Sequence, residues 1–500
     1  MNIEVDVRFG RAAPRRAARG GPMRLLLLGD FSGRGAQGTA PAAAVSASRL
    51  HRVDLDTLER VLARISPQVA LPAAGGGTTA LQFAALDDFH PDHLFERVPS
   101  FERLRALRAH LLDPSTFDQA AAQLQAYGLA ANETSEPAPA PKAAGAESDS
   151  ATFERLLGGE SAGRSAVTPS RPSAVDALIR RVIEPHIARG SAPHLPVYLA
   201  AVDAALSEQM RQLLHAPAFS RLEAAWRGVQ WLVSRLELDE NLQLHLLDVT
   251  RDELASDLVG AQRDPSRSEL VRTLRAADAG GDWALLAGLL TVGPGSDDLE
   301  LVAALGSVAS LLGAPIIAAA APALFGCHSV ADLPDPLHWE TAAAELSERW
   351  AALRCSAAAR WIGLMTPRVL LRLPYGKATD PLERFSFEEQ PATPAHETLL
   401  WGPGSLALAL LLGQAYTAGG WDLVANPPQD IDDLAAYTFT RDGEPQLQPC
   451  AEALVGERAG EALLRLGLMP LLSDRRAARV RLMRMQSVAD PLQSLSGRWA

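Results

Sequence analysis

The chain has 500 residues, too many for one ordinary hydrophobic core, so two or more domains are expected. Its 47% hydrophobic and 21% charged residues are those of a globular protein, and a net charge of −12 excludes a chain-wide basic footprint for nucleic acid. Cys327, Cys355 and Cys450 lie far apart, which excludes a disulfide framework and a CxxC metal pair and points to reduced thiols in a cytoplasmic setting.

Ile3, Val5, Val7 and Phe9 alternate with Glu4, Asp6 and Arg8, which predicts a strand with one wet face. No apolar run follows Met1, so no signal peptide is expected. Arg11, Arg15, Arg16 and Arg19 read as a solvated link. Met23 to Leu28 then form a buried strand ending in the turn Gly29-Asp30-Phe31-Ser32-Gly33-Arg34-Gly35. That turn lacks the Lys-Ser/Thr of a phosphate loop, the GxGxxG spacing and the GxSxG nucleophile elbow.

Asp56 and Glu59 have capping-box spacing before a helix that carries Leu58, Val61, Leu62 and Ile65. Leu81-Gln82-Phe83 is a short strand, Pro91 suits a first helical turn, and Phe101, Leu104, Leu107 and Leu111 share a helix face. The cluster Asp87, Asp88, His90, Asp92 and His93 contains metal-ligating residue types. No second histidine cluster follows at suitable spacing, so the carboxylates are expected to accept backbone N–H groups at a helix start.

Residues 129–172 are rich in Ala, Pro, Ser and Glu and predict a flexible linker, interrupted by the short apolar island Phe153, Leu156 and Leu157. Val175, Leu178, Ile179, Val182 and Ile183 predict the next helix. Leu199 to Leu213 and Phe219 to Val233 predict two more, and Leu242, Leu244 and Leu246 a strand. Thr250 and Glu253 form a capping box ahead of Leu254 and Leu258. Trp283 to Val292 reads as a strand-like core segment.

Leu301 to Gly326 is uncharged and long enough to span a bilayer. Its Gly and Pro residues favour a buried helix stopping at Gly313, a strand at Ile316-Ile317 and a loop. Trp350, Leu353, Ala357, Trp361 and Ile362 predict a helical segment, followed by the apolar run Val369 to Leu371 and a turn at Pro374-Tyr375-Gly376. Arg372 and Tyr375 are expected to pair at a subunit or domain contact. Val480 to Met485 is the last expected strand. The fold class is mixed α/β (α+β), and no triad, paired-carboxylate site or metal set stands above background.

Two stretches carry a family resemblance. Trp350, Arg354, Ala359, Arg360, Leu364, Pro367, Arg368, Leu370 and Arg372-Leu373-Pro374-Tyr375-Gly376 follow the pattern W-R … AR … L-x-x-PR-x-L-x-RLPYG of the type VI secretion large sheath subunit. Leu222-Glu223-Ala224-Ala225-Trp226-Arg227-Gly228 resembles the same family, which the chain follows from about 173 to 475. Gly29 to Gly33, Val53 to Thr57 and Leu81 to Pro91 resemble, in order, the small sheath subunit, over residues 2–125.

The resemblance implies a small-subunit-like domain at 1–128, a linker at 129–172 and a large-subunit-like domain at 173–500, with a two-part body and extended terminal strands. It implies a structural, non-enzymatic role without cofactor or metal, in which like protomers assemble around an inner-tube protein and engage baseplate proteins. Ile3, Val5, Val7, Phe9, Val480 and Leu482 are the implied strand-exchange residues, and Phe153, Leu156 and Leu157 the implied anchors for an AAA+ recycling unfoldase. The family continues well beyond Gly467 to Leu471, so the acceptor strand region is expected to be shortened here. A non-polymerising sheath-end adaptor is the alternative, and a nucleotide-binding module using Gly29 to Gly35 a further one.

Overall fold

The computed structural model describes residues 20–37, 45, 49–72, 78–133, 195–261, 264–277, 281–390, 395–423, 429–441, 443–473 and 477–499. The expected strand at Ile3–Phe9, the island Phe153, Leu156 and Leu157, and the helix of Val175 to Ile183 lie outside them.

In chain order the strands are β1 (Met23–Gly29), β2 (Leu50–Val53), β3 (Gln68–Pro72), β4 (Thr78–Gln82), β5 (Leu242–Asp248), β6 (Trp283–Val292), β7 (Ile316–Ala320) and β8 (Ile362–Thr366). They continue with β9 (Val369–Leu370), β10 (Trp401–Gly402), β11 (Asp430–Ile431), β12 (Tyr437–Arg441), β13 (Glu444–Gln448), β14 (Met469–Ser473) and β15 (Val480–Leu482). The helices are α1 (Leu58–Ile65), α2 (Pro91–Arg97), α3 (Glu102–Leu112), α4 (Phe117–Glu133), α5 (Leu195–Leu214) and α6 (Pro217–Val233). They continue with α7 (Arg251–Gly260), α8 (Glu269–Ala276), α9 (Ser296–Leu312), α10 (Ala344–Arg354), α11 (Gly404–Gly419) and α12 (Glu457–Arg465).

Nine strands form one sheet in the order β11-β15-β14-β8-β7-β6-β1-β5-β2. The run from β5 through β1, β6, β7 and β8 to β14 is parallel, and β2, β15 and β11 add antiparallel edges. Parallel strands covered on both faces read as continuous apolar runs. Hence β1, MRLLLLG, is buried at every residue, as are all five residues of β7. Leu26 and Leu28 face a core with Leu254, Leu270, Val302 and Leu305. Helix α11 is apolar all round and buried from Gly404 to Gly413, as a core helix must be.

Two compact units result, Met1–Leu71 with Thr79–Leu94 and Arg211–Ala500, and Pro72–Thr78 with Phe95–Met210. The second is helical; Arg108 Nε donates to Asp203 at 2.7 Å and Gln125 Nε2 to the Tyr198 hydroxyl at 2.8 Å. The first holds the whole nine-stranded sheet, so β1 and β2 of the small-subunit-like stretch share it with strands of the large-subunit-like stretch.

Several local expectations need correction. The helix at Trp350 stops at Arg354, and Ile362 opens β8; a short, fully buried parallel strand has no period to separate it from a helix turn. The box of Asp56 and Glu59 does not form. Asp54 and Thr57 exchange hydrogen bonds instead, and the Glu59 carboxylate accepts from Leu86 N. Strands β2 and β3 were not foreseen. The last strand covers only Val480–Leu482. The Thr250–Glu253 box, by contrast, is reciprocal, and Gly313 ends α9 in the left-handed region at φ 67°. Among the described residues, no helix is long and apolar enough to cross a membrane.

Candidate functional site

The sequence motifs converge. Phe31, in the turn after β1, packs edge-on against Trp226 of α6 with ring centroids 5.7 Å apart, and Trp226 Nε1 donates to the Phe31 carbonyl at 2.9 Å. Trp226 is fully buried. Gly33 has φ +76°, and a Cβ there would meet the Gln68 carbonyl oxygen at 2.4 Å, so the turn requires glycine. Phe83 and Phe89 stack at 4.1 Å, and both meet the Phe219 ring of α6 edge-on.

Arg372 is the hub. Its Nε and Nη2 donate to Glu223 at 2.7 and 3.1 Å, and its Nη1 and Nη2 to Glu389 at 2.8 and 3.1 Å. Its guanidinium lies 4.2 Å over the Tyr375 ring. Glu389 also accepts from Tyr375 N at 2.8 Å, and Arg227 Nη2 reaches the Tyr375 hydroxyl at 3.3 Å. Burial alone would raise the Glu389 carboxyl, but Arg372, His215 and the Tyr375 amide outweigh it and hold it at about 2. Burial pushes the Tyr375 phenol up to about 12. Arg372, Glu223 and Glu389 thus form a satisfied buried ion cluster that fastens the Pro374–Gly376 turn to α6. Arg372 and Tyr375, expected to pair at a subunit or domain contact, meet here within one chain.

The Asp87–His93 cluster joins the same junction. Asp88 accepts from Ala84 N and Ala85 N at 2.6 and 3.1 Å, as expected of a carboxylate at a helix start. Asp92 instead receives Glu383 N and Arg384 N at 3.0 and 3.2 Å, and His90 lies edge-on to Tyr375 at 5.0 Å. Asp87 and His93 are exposed. Among the described residues, no group of three or more His, Cys, Asp or Glu side chains is placed to hold a metal.

A cleft of about 520 Å³ opens at the carboxyl ends of β1, β5 and β6, where open parallel sheets commonly take ligands. The Gly29–Gly35 loop forms one wall. Two of its amides are bonded to carboxylates, Ser32 N to Asp248 at 3.0 Å and Gly35 N to Asp30 at 2.9 Å. Arg34 folds back onto Asp248 and Glu253. Carboxylates therefore occupy the Ser32 and Gly35 amides and the Arg34 guanidinium of this loop, donors of the kind that hold a phosphate elsewhere. Arg251 and Arg368 on the rim pair with Asp298 and Glu452.

Val480 and Leu482 are buried, and β15 is hydrogen-bonded on both sides, to β14 and to β11. The three cysteines are free, and burial pushes the Cys327 thiol up to about 12. Sequence reasoning missed Glu389 and His215 as members of the junction. No spacing connects them to Arg372 or Glu223, and only the fold does.

These features define a class: an α/β body whose signature residues are used for packing and for internal ion pairs. The tail sheath N-terminal domain family (VipB, EvpB) matches residues 197–489, more than half of the chain, and the chain belongs to that family. The type VI secretion system VipA family matches residues 2–125. The chain is 29% identical over 305 residues to the type VI secretion system sheath protein TssC1 of Pseudomonas aeruginosa, covering 59% of this chain and 61% of that protein. It therefore spans less than two thirds of that relative's length.

Proposed function

We propose that this protein is a structural, non-catalytic component of a type VI secretion contractile sheath, in which one chain supplies both sheath-subunit regions. The observation that carries the reading is the shared core: Phe31 and His90 of the region matching VipA lock onto Trp226 and Tyr375 of the region matching VipB. Fusion fixes one-to-one stoichiometry and raises the local concentration of the two halves. Like protomers assemble around an inner-tube protein in the cytoplasm, with baseplate proteins at the sheath end. The division at 1–128, 129–172 and 173–500 describes sequence ancestry in this reading, while the fold draws its strands from both sides. Phe153, Leu156 and Leu157 anchor a recycling AAA+ unfoldase, and Ile3 to Phe9 add to a neighbour's sheet by backbone hydrogen bonds.

A second reading, a sheath-end adaptor that does not polymerise, draws support from β15, whose two edges are occupied within the chain. Negative-stain electron microscopy separates the two. Hollow, ribbed tubes formed by the purified chain alone, and lost on deletion of residues 2–9, support the sheath. Particles seated only at the ends of tubes made by other sheath proteins support the adaptor, and no association with either sheath or tube proteins refutes both.

A further inference from the structure

The backbone ahead of β1 is gripped by residues about four hundred positions further along the chain. The Gly21 carbonyl accepts two hydrogen bonds, from the Tyr416 hydroxyl at 3.1 Å and from Trp421 Nε1 at 2.9 Å. Tyr416 is in the last turn of α11 and Trp421 just beyond it, with their rings edge-on at 5.2 Å. The Arg498 guanidinium lies 4.1 Å over the Trp421 ring, and its Nη1 donates to the Asp282 carbonyl at 3.2 Å. Asp282 immediately precedes β6, the neighbour of β1 in the sheet. Gly20 and Gly21 have φ +145° and +125°, a bend that other residues rarely adopt. Two residues later, Met23 N is already bonded to Asn241 O at 2.7 Å, and Arg24 is held over Trp283.

We propose that Tyr416, Trp421 and Arg498 form a clamp on the backbone at Gly21, so that a pull on the chain from the N-terminal side of Gly20 is shared with α11 and β6 instead of peeling β1 from its first residue. The geometry suits that task. A strand pulled from one end loses its hydrogen bonds one at a time, and a crossing side-chain grip at that end stops the first from opening. The grip is made by one aromatic layer, with Trp421 between a cation on its face and a carbonyl at its N–H. The inference stands on contacts within one chain and does not depend on the sheath reading. If that reading also holds, the clamp lies on the path of any load arriving through residues 3–9.

Trypsin on the folded, full chain tests it, because Arg15, Arg16 and Arg19 supply cleavage sites at three distances from Gly21, told apart by the masses of the fragments. A protease needs several extended residues on both sides of the cut, so a clamp at Gly21 is expected to slow the cut after Arg19, two residues away, more than the cut after Arg15. Trp421→Leu and Arg498→Gln are each expected to raise the cut after Arg19 about tenfold relative to the cut after Arg15, the effect of losing one or two modest contacts. Tyr416→Phe removes one of the two hydrogen bonds and keeps the ring, so a several-fold smaller rise is expected. Thermal unfolding of Arg498→Gln and Tyr416→Phe checks that the variants remain folded. Equal cutting after Arg15 and Arg19 in the unaltered chain overturns the clamp. So does a ratio that stays constant across the variants, or a parallel rise of both cuts.

Discussion

At the residue scale, the Arg372 cluster shows how a buried charge is tolerated. Glu223 and Glu389 are almost wholly excluded from water, and Arg372 gives each two hydrogen bonds. Removing one member leaves another uncompensated, which costs more than a surface pair is worth. Glu389→Gln is expected to destabilise the protein by about 3 kcal/mol at neutral pH, the free energy of a carboxylate held near 2 rather than at 4.5. The sign follows from the direction of the shift. A depressed carboxyl stabilises fully above its unfolded value of 4.5, and the contribution fades as pH falls toward about 2. Urea unfolding of the parent and the variant across that window checks it: the two curves should converge in acid. A constant gap would assign the loss to packing rather than to charge.

At the element scale, glycines set how closely helices approach the sheet. Gly306 lies in α9, and a Cβ there would sit 2.5 Å from both Cγ1 and Cδ1 of Ile362, the first residue of β8. Replacing glycine by alanine in a helix gains about 1 kcal/mol of propensity. Overpacking a tight contact costs about 1–3 kcal/mol, and a Cγ1 atom near the backbone has little room to retreat. Gly306→Ala is therefore expected to lower the melting temperature, whereas an alanine at exposed Gly260, where a Cβ meets nothing, should leave it unchanged or raise it. Elements with a marked period or cap were legible in the sequence: α6 from its apolar stripe, α7 from Thr250 and Glu253, and the stop of α9 at Gly313. Those without a period were not. Strand β8 is five buried residues between turns, and β2 is four residues whose strand partner, β5, lies nearly two hundred positions away. The motif junction was legible as motifs and not as a place, because the ion pair of Arg372 with Glu223 spans 149 residues.

At the scale of the whole molecule, the two family regions are one folding unit wherever the sheet is concerned. Strand β1 lies between β5 and β6, and pairs in register with β5 from Met23 to Gly29. Its Met23 and four leucines are each 1% exposed or less. Fully burying such a side chain is worth about 1.5–3 kcal/mol, so β1 contributes on the order of 10 kcal/mol of apolar burial, comparable to the net stability of an ordinary domain. A fragment of residues 195–500 lacks that strand and would expose the inner edges of β5 and β6, with unpaired amides flanked by apolar faces. Expressed alone, it is expected to aggregate. A protease site placed in the interval 134–194 gives the complementary outcome: the intact chain, cut after folding, should keep both fragments together through size-exclusion chromatography in native buffer. They should part in urea, because the β1 hydrogen bonds and the Phe31–Trp226 contact, not the covalent link, hold them. Separation of the cut fragments in native buffer would show that the shared sheet does not hold the two regions together.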